Sequence, residues 1–422
     1  MILFLEILPL ETLRLKKTGV VLAAFLLLSC ADPADPPSEE RSAEPAQNSP
    51  VEASLVPAFQ TNVEKLLAQA MQEVENLPGV SVHVIAPRAD LEWSMALGHT
   101  DKGKSTPFSS EHPIRISSVT KSFVAAAILR LHEQGKIDLD APISEYLPRI
   151  YVDLVREGPY DPDAITVRHL LTHTSGLVDV FNTETFQAYF ATVLEGGAPK
   201  TFTLEEQIRI AVTGGDPTGR PGQKQAYTDT GYLLLGAILE TLTGQDMGRA
   251  TAELSRYDSL DLPNTWWEIF QTPPQGAMDR ADQFYGGFLG DDYGPEPFDL
   301  YGGGGMISSS SDLARWYWAL FHGNVFEQPA TLAVMQSLFL PEEYEGEGEE
   351  LLRHGLQATQ LDGQLLFGHS GWWGVAVYYS PQDDVLVAAN WLQQHAGTEM
   401  TERVKTIVIE ATRLSRAMAS KI

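Results

Sequence analysis

The stretch Ser118-Val119-Thr120-Lys121-Ser122-Phe123-Val124-Ala125-Ala126-Ala127-Ile128-Leu129 begins with a serine and a lysine three positions apart and continues as an apolar run. Its residues have high helix propensity, and Gly135 marks the expected end of the helix. Residues three apart share one face of a helix, so the amine of Lys121 is expected to reach the hydroxyl of Ser118. A basic nitrogen beside a serine is one way to turn its weak hydroxyl into a nucleophile. The stretch therefore predicts a helix with a candidate nucleophile at its start.

Strand-like runs lie near both ends of the folded body, on either side of this helix in the chain. They are Val80–Ile85, Glu92–Gly98, Gln364–Gly368, Gly374–Tyr379 and Val385–Trp391. Apolar periodicity predicts helices at Phe59–Leu77, Leu313–Phe321 and Glu399–Met418. We therefore expect an α/β (α+β) fold in which an antiparallel sheet is built from both ends of the chain and flanked by helices, with an inserted, mostly helical subdomain.

The first 29 residues have the features of a secretory leader. Lys16 and Lys17 precede the apolar run Val20–Leu28, which is too short to span a bilayer and is typical of a signal-peptide core. The run ends at Ser29-Cys30, and Cys30 is the single cysteine of the protein. This segment resembles a bacterial lipobox, which implies that residues 1–29 are a lipoprotein signal peptide and that Cys30 is lipidated. The alternative is that Cys30 is an ordinary small apolar residue of the leader.

Four segments follow from this organisation. Residues 30–57 are rich in Pro, Ala, Ser and Glu and are expected to form a flexible tether. Residues 58–140 and 286–422 are expected to form the α/β sheet subdomain, and residues 141–285 the helical subdomain. Together, residues 58–422 would form one catalytic domain, held at the extracytoplasmic, periplasmic side of the cell envelope by the lipid anchor on Cys30.

Composition excludes several classes of function. The chain has 422 residues and a formal net charge of −27, which disfavours nucleic acid and anionic lipid as partners. The chain has no H-E-x-x-H motif and no cysteine cluster, so no metal or other cofactor is expected. It has no G-x-S-x-G motif, which argues against an α/β-hydrolase. No obligate protein partner is evident.

Two further segments carry side chains suited to acyl transfer. Tyr227-Thr228-Asp229 offers a phenol that can act as a general base when a nearby cation such as Lys121 lowers its pKa. His369-Ser370-Gly371 lies between two strand-like runs, where a glycine allows a strand edge to approach a substrate closely.

These motifs, taken in order, identify a family resemblance. The chain resembles serine hydrolases of the β-lactamase and penicillin-binding-protein superfamily, and most closely the branch of class C β-lactamases, D-alanyl-D-alanine carboxypeptidases and related esterases. The resemblance rests on the S-x-x-K tetrad Ser118–Lys121, on Thr166–Leu177, on Tyr227–Gly236 and on Gly368–Gly371, and it covers residues 60–415.

The resemblance implies a role for each matching residue. Ser118 would be the nucleophile that forms an acyl-enzyme, and Lys121 would accept or stabilise its proton. Tyr227 would relay the proton to the leaving group and activate the deacylating water. His369, Ser370 and Gly371 would line the substrate site. The backbone N–H groups of Ser118 and Trp372 would form the oxyanion hole.

The chain departs from the family pattern at two of these positions. Asp229 stands where relatives have asparagine, and an ionised aspartate accepts hydrogen bonds but does not donate to a substrate carbonyl. His369 stands where relatives have lysine or histidine, and its charge, unlike that of lysine, is lost near neutral pH. Both changes favour an esterase or an unusual peptidase, and Trp372 with Trp373 favours a substrate with flat or apolar bulk.

The sequence therefore predicts a serine hydrolase that works through an acyl-enzyme on Ser118. We expect a D-Ala-D-Ala carboxypeptidase-like or carboxylesterase activity on a small-molecule ester or a D-amino-acid peptide. The alternative is a class C-like β-lactamase, and a further alternative is a non-catalytic relative that binds cell-wall peptide.

Overall fold

The computed structural model describes residues 52–195, 197–198, 200–285, 288–289, 300–339, 351–394 and 397–420. The described residues all belong to one compact unit. The predicted signal peptide and Cys30 lie outside the described residues, as does the predicted tether up to residue 51. In the described part of the chain, no helix combines the length and apolar character needed to cross a membrane.

The helices of the described residues mostly follow the apolar periodicity of the sequence. They are α1 Glu52–Glu73, α2 Thr120–Glu133, α3 Arg149–Glu157, α4 Val167–Leu171, α5 Glu184–Leu194, α6 Leu204–Thr213, α7 Asp229–Thr243, α8 Met247–Ser255, α9 Ser310–Phe321, α10 Pro329–Gln336 and α11 Gly397–Ala419. Helix α1 begins before the expected Phe59, so residues 52–57 of the predicted tether are helical. Leu55 and Val56 explain the earlier start, because they pack against the apolar face of the sheet.

The strands of the described residues form one large antiparallel sheet and two small ones. They are β1 Gly79–Ala86, β2 Leu91–Gly98, β3 Ile114–Arg115, β4 Trp266–Trp267, β5 Phe284–Tyr285, β6 Phe288–Leu289, β7 Met306–Ser308, β8 Leu351–Leu352, β9 Gln357–Leu361, β10 Gln364–Gly371, β11 Val375–Ser380 and β12 Val385–Trp391. The large sheet has the order β2-β1-β12-β11-β10-β9-β8. Strand β1 pairs with β12 in the register Val80 to Trp391. The prediction of an antiparallel sheet built from both ends of the chain is confirmed.

The large sheet separates two apolar cores. On one face, α1 and α11 pack on inward-pointing residues such as Val82 of β1 and Val387 of β12. The opposite face packs against α2 and α9 and continues into the helical block between β3 and β7. Every residue of β1 and β12 is buried. Since alternate strand residues point to opposite faces, both faces of these two strands are covered.

Three chain segments meet at the edge of this arrangement. Strand β3 pairs with β7 and leads directly into the turn that carries Ser118. Helix α7 begins at Asp229, and β10 ends at Gly371. The fold thus brings together three motifs that are far apart in the sequence.

Candidate active site

Ser118 lies in a single 3-10 turn, Ser117–Val119, that runs into the start of α2. The turn is held from both sides, because the Ile116 N–H donates to the Met306 carbonyl at 3.0 Å and the Trp373 N–H donates to the Ser117 hydroxyl at 3.3 Å. Ser117 has a φ of +46°, a left-handed conformation that is unfavourable for a residue with a side chain. Backbone strain of this kind persists where surrounding contacts impose it, and it is concentrated at functional sites.

Lys121 lies one helical turn after Ser118, as the sequence predicted. Its side chain is fully buried, and its Nζ donates to the Ser118 Oγ at 3.0 Å and to the Gly303 carbonyl at 2.7 Å. The same Nζ forms a short ion pair with the Asp229 carboxylate. Lys121 therefore contacts both the candidate nucleophile and Asp229, the residue that stands where relatives have asparagine.

Tyr227 completes this group from the segment before α7. Lys121 Nζ lies 5.1 Å from the centroid of its ring, and burial raises the pKa of the phenol above its ordinary value despite the opposing charge of Lys121. The ring stacks on His173, with centroids 4.4 Å apart. His173 Nδ1 also accepts the backbone N–H of Thr228 at 3.1 Å. His173 thus fixes both the ring of Tyr227 and the backbone that follows it.

Asp179 is a second buried carboxyl beside Asp229. It accepts the backbone N–H groups of Phe181, at 3.2 Å, and of Asp229. Burial and the negative charge of Asp229 raise the pKa of Asp179 to about 7. Thr230 ties the same loop to α7, because its Oγ1 donates to the Val178 carbonyl at 2.7 Å. Asp179 therefore connects the start of α7 to the loop that carries Phe181.

The His369-Ser370-Gly371 motif lies at the end of β10. His369 is buried, and its Nδ1 lies 2.7 Å from the Ser370 carbonyl, to which it donates. Burial and the charge of Lys121 lower the pKa of His369 to about 3, so the imidazole is neutral. The Ser370 hydroxyl donates to Gln357 at 3.2 Å. A Cβ on Gly371 would lie 2.3 Å from the Ile116 carbonyl, so only glycine lets β10 pass this close to the turn before Ser118.

A cavity of about 360 Å³ opens over Ser118. Its polar floor consists of Ser118, Tyr227 and Asp229 at the surface of the cavity and Lys121 directly beneath them. Its aromatic wall consists of Phe181, Phe186, Phe190, Trp372 and Trp373. His369, Ser370 and Gly371 are not among the residues that line the cavity, whereas the predicted residues Asp229 and Trp372 are.

The aromatic wall is assembled from two separate segments. Phe186 and Phe190 are four positions apart on α5 and therefore share one face of that helix. Trp372 and Trp373 come from the turn after β10, and Trp373 packs against Phe190. Trp372 is 43% exposed, which places it at the mouth of the cavity.

A buried ion cluster forms another part of the cavity lining. The Arg115 guanidinium donates two parallel hydrogen bonds of 2.9 Å to the Glu268 carboxylate. Arg280 donates to the same carboxylate at 2.7 Å. Arg115 and Glu268 both line the cavity, and their pairing keeps opposite charges together there.

Sequence reasoning missed several of these residues. Asp179, Glu268 and the phenylalanines of the aromatic wall carry no motif, although the spacing of Phe186 and Phe190 was a readable signal. His173 lies within the Thr166–Leu177 motif, to which the sequence analysis assigned no role, and its contacts with Tyr227 and Thr228 make it a positioning residue. Among the described residues, no group of three or more His, Cys, Asp or Glu side chains could hold a metal ion.

Comparison with known proteins gives the context for this geometry. The beta-lactamase family model matches residues 63–410. Esterase EstB from Burkholderia gladioli is 32% identical over 187 residues, which are 44% of this chain and 46% of EstB. The matches to the first curated relatives span less than half of each relative's length.

Solved structures match over most of the chain. A D-stereospecific amidohydrolase from Streptomyces sp. superimposes with a TM-score of 0.64 and 25% identity, covering 83% of this chain and 98% of the other. A D-amino acid amidase from Ochrobactrum anthropi SV3 gives a TM-score of 0.70 at 23% identity, covering 85% and 99%, and supports the fold alone. Because the matched family model spans most of the sequence, the chain belongs to the beta-lactamase family of serine hydrolases.

Proposed function

We propose that this protein is a carboxylesterase that cleaves small neutral esters with an apolar or aromatic group, through an acyl-enzyme on Ser118. One observation carries the proposal: Ser118 lines a cavity with an aromatic wall, and the charged groups there are paired. Lys121 is ion-paired with Asp229, and Arg115 with Glu268. An apolar cavity with a few placed polar groups suits an apolar ligand.

The polar floor supports the acylation step. Ser118 Oγ attacks the ester carbonyl while its proton leaves towards Lys121, which lies within hydrogen-bond distance. The backbone N–H groups of Ser118 and Trp372 would stabilise the oxyanion, since β10 runs directly beside the Ser118 turn. Tyr227, which lines the cavity with Ser118 and lies beside Lys121, would deliver a proton to the leaving alcohol and later activate water.

The state of His369 argues for a neutral substrate. The resemblance would assign this position to the binding of a substrate carboxylate, which a cation does best. His369 is instead buried and neutral, and it lies outside the cavity lining. A penicillin or a D-Ala-D-Ala peptide carries such a carboxylate, so its affinity would lack this contribution. Carboxylesterase activity is therefore favoured over class C-like β-lactamase activity.

A D-Ala-D-Ala carboxypeptidase-like or D-amino-acid amide hydrolase is the second candidate. The Asp229 carboxylate lines the cavity, where it can accept a hydrogen bond from the ammonium group of an amino-acid amide. The likeness to the D-stereospecific amidohydrolase over most of the chain supports the same activity.

A panel of three substrate classes tests the proposal. We expect measurable turnover of p-nitrophenyl esters, weaker hydrolysis of D-phenylalanine amide, and slow or absent opening of a chromogenic cephalosporin. Ser118→Ala should abolish ester turnover, and a fluorophosphonate probe should label the wild type but not this variant. Ester turnover that persists in Ser118→Ala would remove the proposal. Labelling of Ser118 by fluorescent penicillin without turnover of any ester would support the non-catalytic, peptide-binding alternative.

A further inference from the structure

The Lys121–Asp229 ion pair raises a question about where the Ser118 proton goes. Lys121 contacts Ser118, the Gly303 carbonyl and the Asp229 carboxylate. A lysine ion-paired with a carboxylate is an ammonium, which has three protons to donate and no lone pair with which to accept another. Lys121 can therefore take the Ser118 proton only if it passes one of its own protons onward.

The neighbouring groups offer few acceptors. The titratable groups that act on this site are Asp179, Tyr227, Tyr232, His173 and His369. Burial raises the pKa values of both phenols, so each remains protonated, and lowers the pKa of His369 to about 3, so its imidazole is a weak base. The pKa of His173 is lowered in the same way, and its Nδ1 already accepts the Thr228 N–H.

Asp229 has the required position and charge. Its carboxylate is in direct contact with Lys121 Nζ, and it also lines the cavity. An asparagine at this position would offer only an amide oxygen, which does not take up a proton near neutral pH. Resting on the function proposed above, we propose that the Ser118 proton travels through Lys121 to the Asp229 carboxylate, which is the terminal proton acceptor of acylation.

The step balances as follows. Ser118 Oγ forms a bond to the ester carbonyl carbon, and its proton moves to Lys121 Nζ while another proton moves from Nζ to the Asp229 carboxylate. Lys121 stays an ammonium, Asp229 becomes neutral, and the negative charge resides on the tetrahedral oxygen. When the intermediate collapses, Tyr227 gives its proton to the leaving alkoxide. The proton on Asp229 then returns through Lys121 to Tyr227, which restores the starting charges.

Asp179 is a positioning residue for this relay. It accepts the backbone N–H of Asp229 and so fixes the start of α7 beside Lys121. Burial and the negative charge of Asp229 raise the pKa of Asp179 to about 7, so below this pH Asp179 adds no second negative charge beside the Lys121–Asp229 ion pair.

The test compares acylation rates across pH in matched variants. With p-nitrophenyl acetate, Asp229→Asn should lower the burst rate at neutral pH about 100-fold, in the range of general acid–base effects. Its rate should depend on pH differently from the wild-type rate, because without Asp229 the Lys121 ammonium must itself lose a proton before it can act as the base. Asp312→Asn is the control, because Asp312 is also a buried aspartate but binds Asn264, Thr265 and Arg315 away from Lys121. It should keep the wild-type profile.

A second variant keeps the proposal falsifiable if Asp229→Asn folds poorly. Lys121→Arg retains a cation beside Asp229, but an arginine does not release a proton in proteins, so the relay predicts loss of the burst in a folded variant. Acylation within tenfold of wild type in Lys121→Arg, or an unchanged pH profile in Asp229→Asn, would overturn the relay. Neither result affects the proposed esterase function, which fails if Ser118→Ala keeps its activity or if the wild type turns over no ester.

Discussion

The polar floor and the aromatic wall of the cavity differ in almost every physical property. The floor concentrates an ion pair and a network of hydrogen bonds around Ser118, with Lys121 wholly buried and Asp229 only 4% exposed. The wall is built from rings that contact one another, such as Phe181 and Phe186, which meet edge-on with centroids 4.8 Å apart. Removing one partner of a buried ion pair is strongly destabilising because the other charge is left unpaired. Truncating an apolar side chain costs stability in proportion to the apolar area that is no longer buried.

This difference separates two kinds of selectivity. The floor is expected to determine which bond is cleaved, and the wall to determine which group is held beside that bond. Substitutions in the floor should therefore change rates for all substrates together. Substitutions in the wall should change the ratio between substrates and leave the chemistry intact.

Removing the cation of the floor should have the largest effect. Lys121→Met leaves the Asp229 carboxylate buried without its partner and deprives Ser118 of its proton acceptor. We expect ester turnover to fall at least about 10³-fold and the free energy of unfolding to fall by about 3 kcal/mol. Urea unfolding and p-nitrophenyl acetate kinetics measure the two effects.

A double variant distinguishes charge from packing in the floor. Lys121→Met combined with Asp229→Leu removes both buried charges, so much of the lost stability should return while activity stays absent. A double variant less stable than Lys121→Met alone would contradict the view that the unpaired carboxylate causes the loss. Ser118→Ala is the matched control, since it removes activity and should leave the unfolding free energy nearly unchanged.

The floor was largely predictable from the sequence, for reasons of local geometry. Ser118 and Lys121 are one helical turn apart, so the spacing of the motif predicts their contact. The large sheet was predictable because period-2 and β-branched runs occur at both ends of the chain. The burial of His369 was not predictable, because strand alternation does not say which face of β10 is covered until neighbouring elements are placed.

Truncation in the wall should have a smaller and more selective effect. Phe186→Ala removes a ring that is 6% exposed and lies on the face of α5 that lines the cavity. We expect kcat/KM for a p-nitrophenyl ester with an aryl or long acyl chain to fall about tenfold relative to the acetate, as the loss of one apolar contact implies. The ratio of the two kcat/KM values, measured on the same preparation, checks this.

Phe202→Ala provides the matched control for that loss. Phe202 is also 6% exposed and packs edge-on against Tyr189 at 4.8 Å, but it does not line the cavity. Its truncation should lower stability and leave the ratio of esters unchanged. An equal loss on both esters in Phe186→Ala would show that the wall positions the floor instead of selecting the substrate.

The wall could not be predicted in full from the sequence. Its two halves, α5 and the turn after β10, are joined only by tertiary packing of Trp373 against Val193, Tyr189 and Phe190. The tryptophan pair at 372 and 373 indicated an apolar substrate, but its partners on α5 carry no motif. Asp179 could not be identified from the sequence for the same reason, because its place in the site depends on the tertiary contact with Asp229.

Asp179 lies between Asp229 of the floor and Phe181 of the wall. Of the substitutions considered, its replacement should have the smallest effect on turnover. Asp179→Asn keeps the oxygen that accepts the Phe181 and Asp229 N–H groups, so kcat/KM should change less than about threefold near pH 6, where the wild-type carboxyl is also neutral.

The stability of the protein should respond to Asp179→Asn more clearly than its activity. The folded pKa of Asp179 is raised from 3.8 to about 7, so the folded protein holds a proton that the unfolded chain releases between those values. The stability from this group is complete below about pH 4 and is lost as pH rises towards 7. As pH rises through this range, the free energy of unfolding of Asp179→Asn, measured in urea, should increase relative to that of wild type by on the order of 1–3 kcal/mol. The difference should not change further above pH 7. Asp153→Asn, which removes an exposed carboxylate, controls for net charge. If the two proteins differ in free energy of unfolding by the same amount at every pH, the ionisation of Asp179 does not affect stability. Asp179 would then connect the floor and the wall through its hydrogen bonds alone.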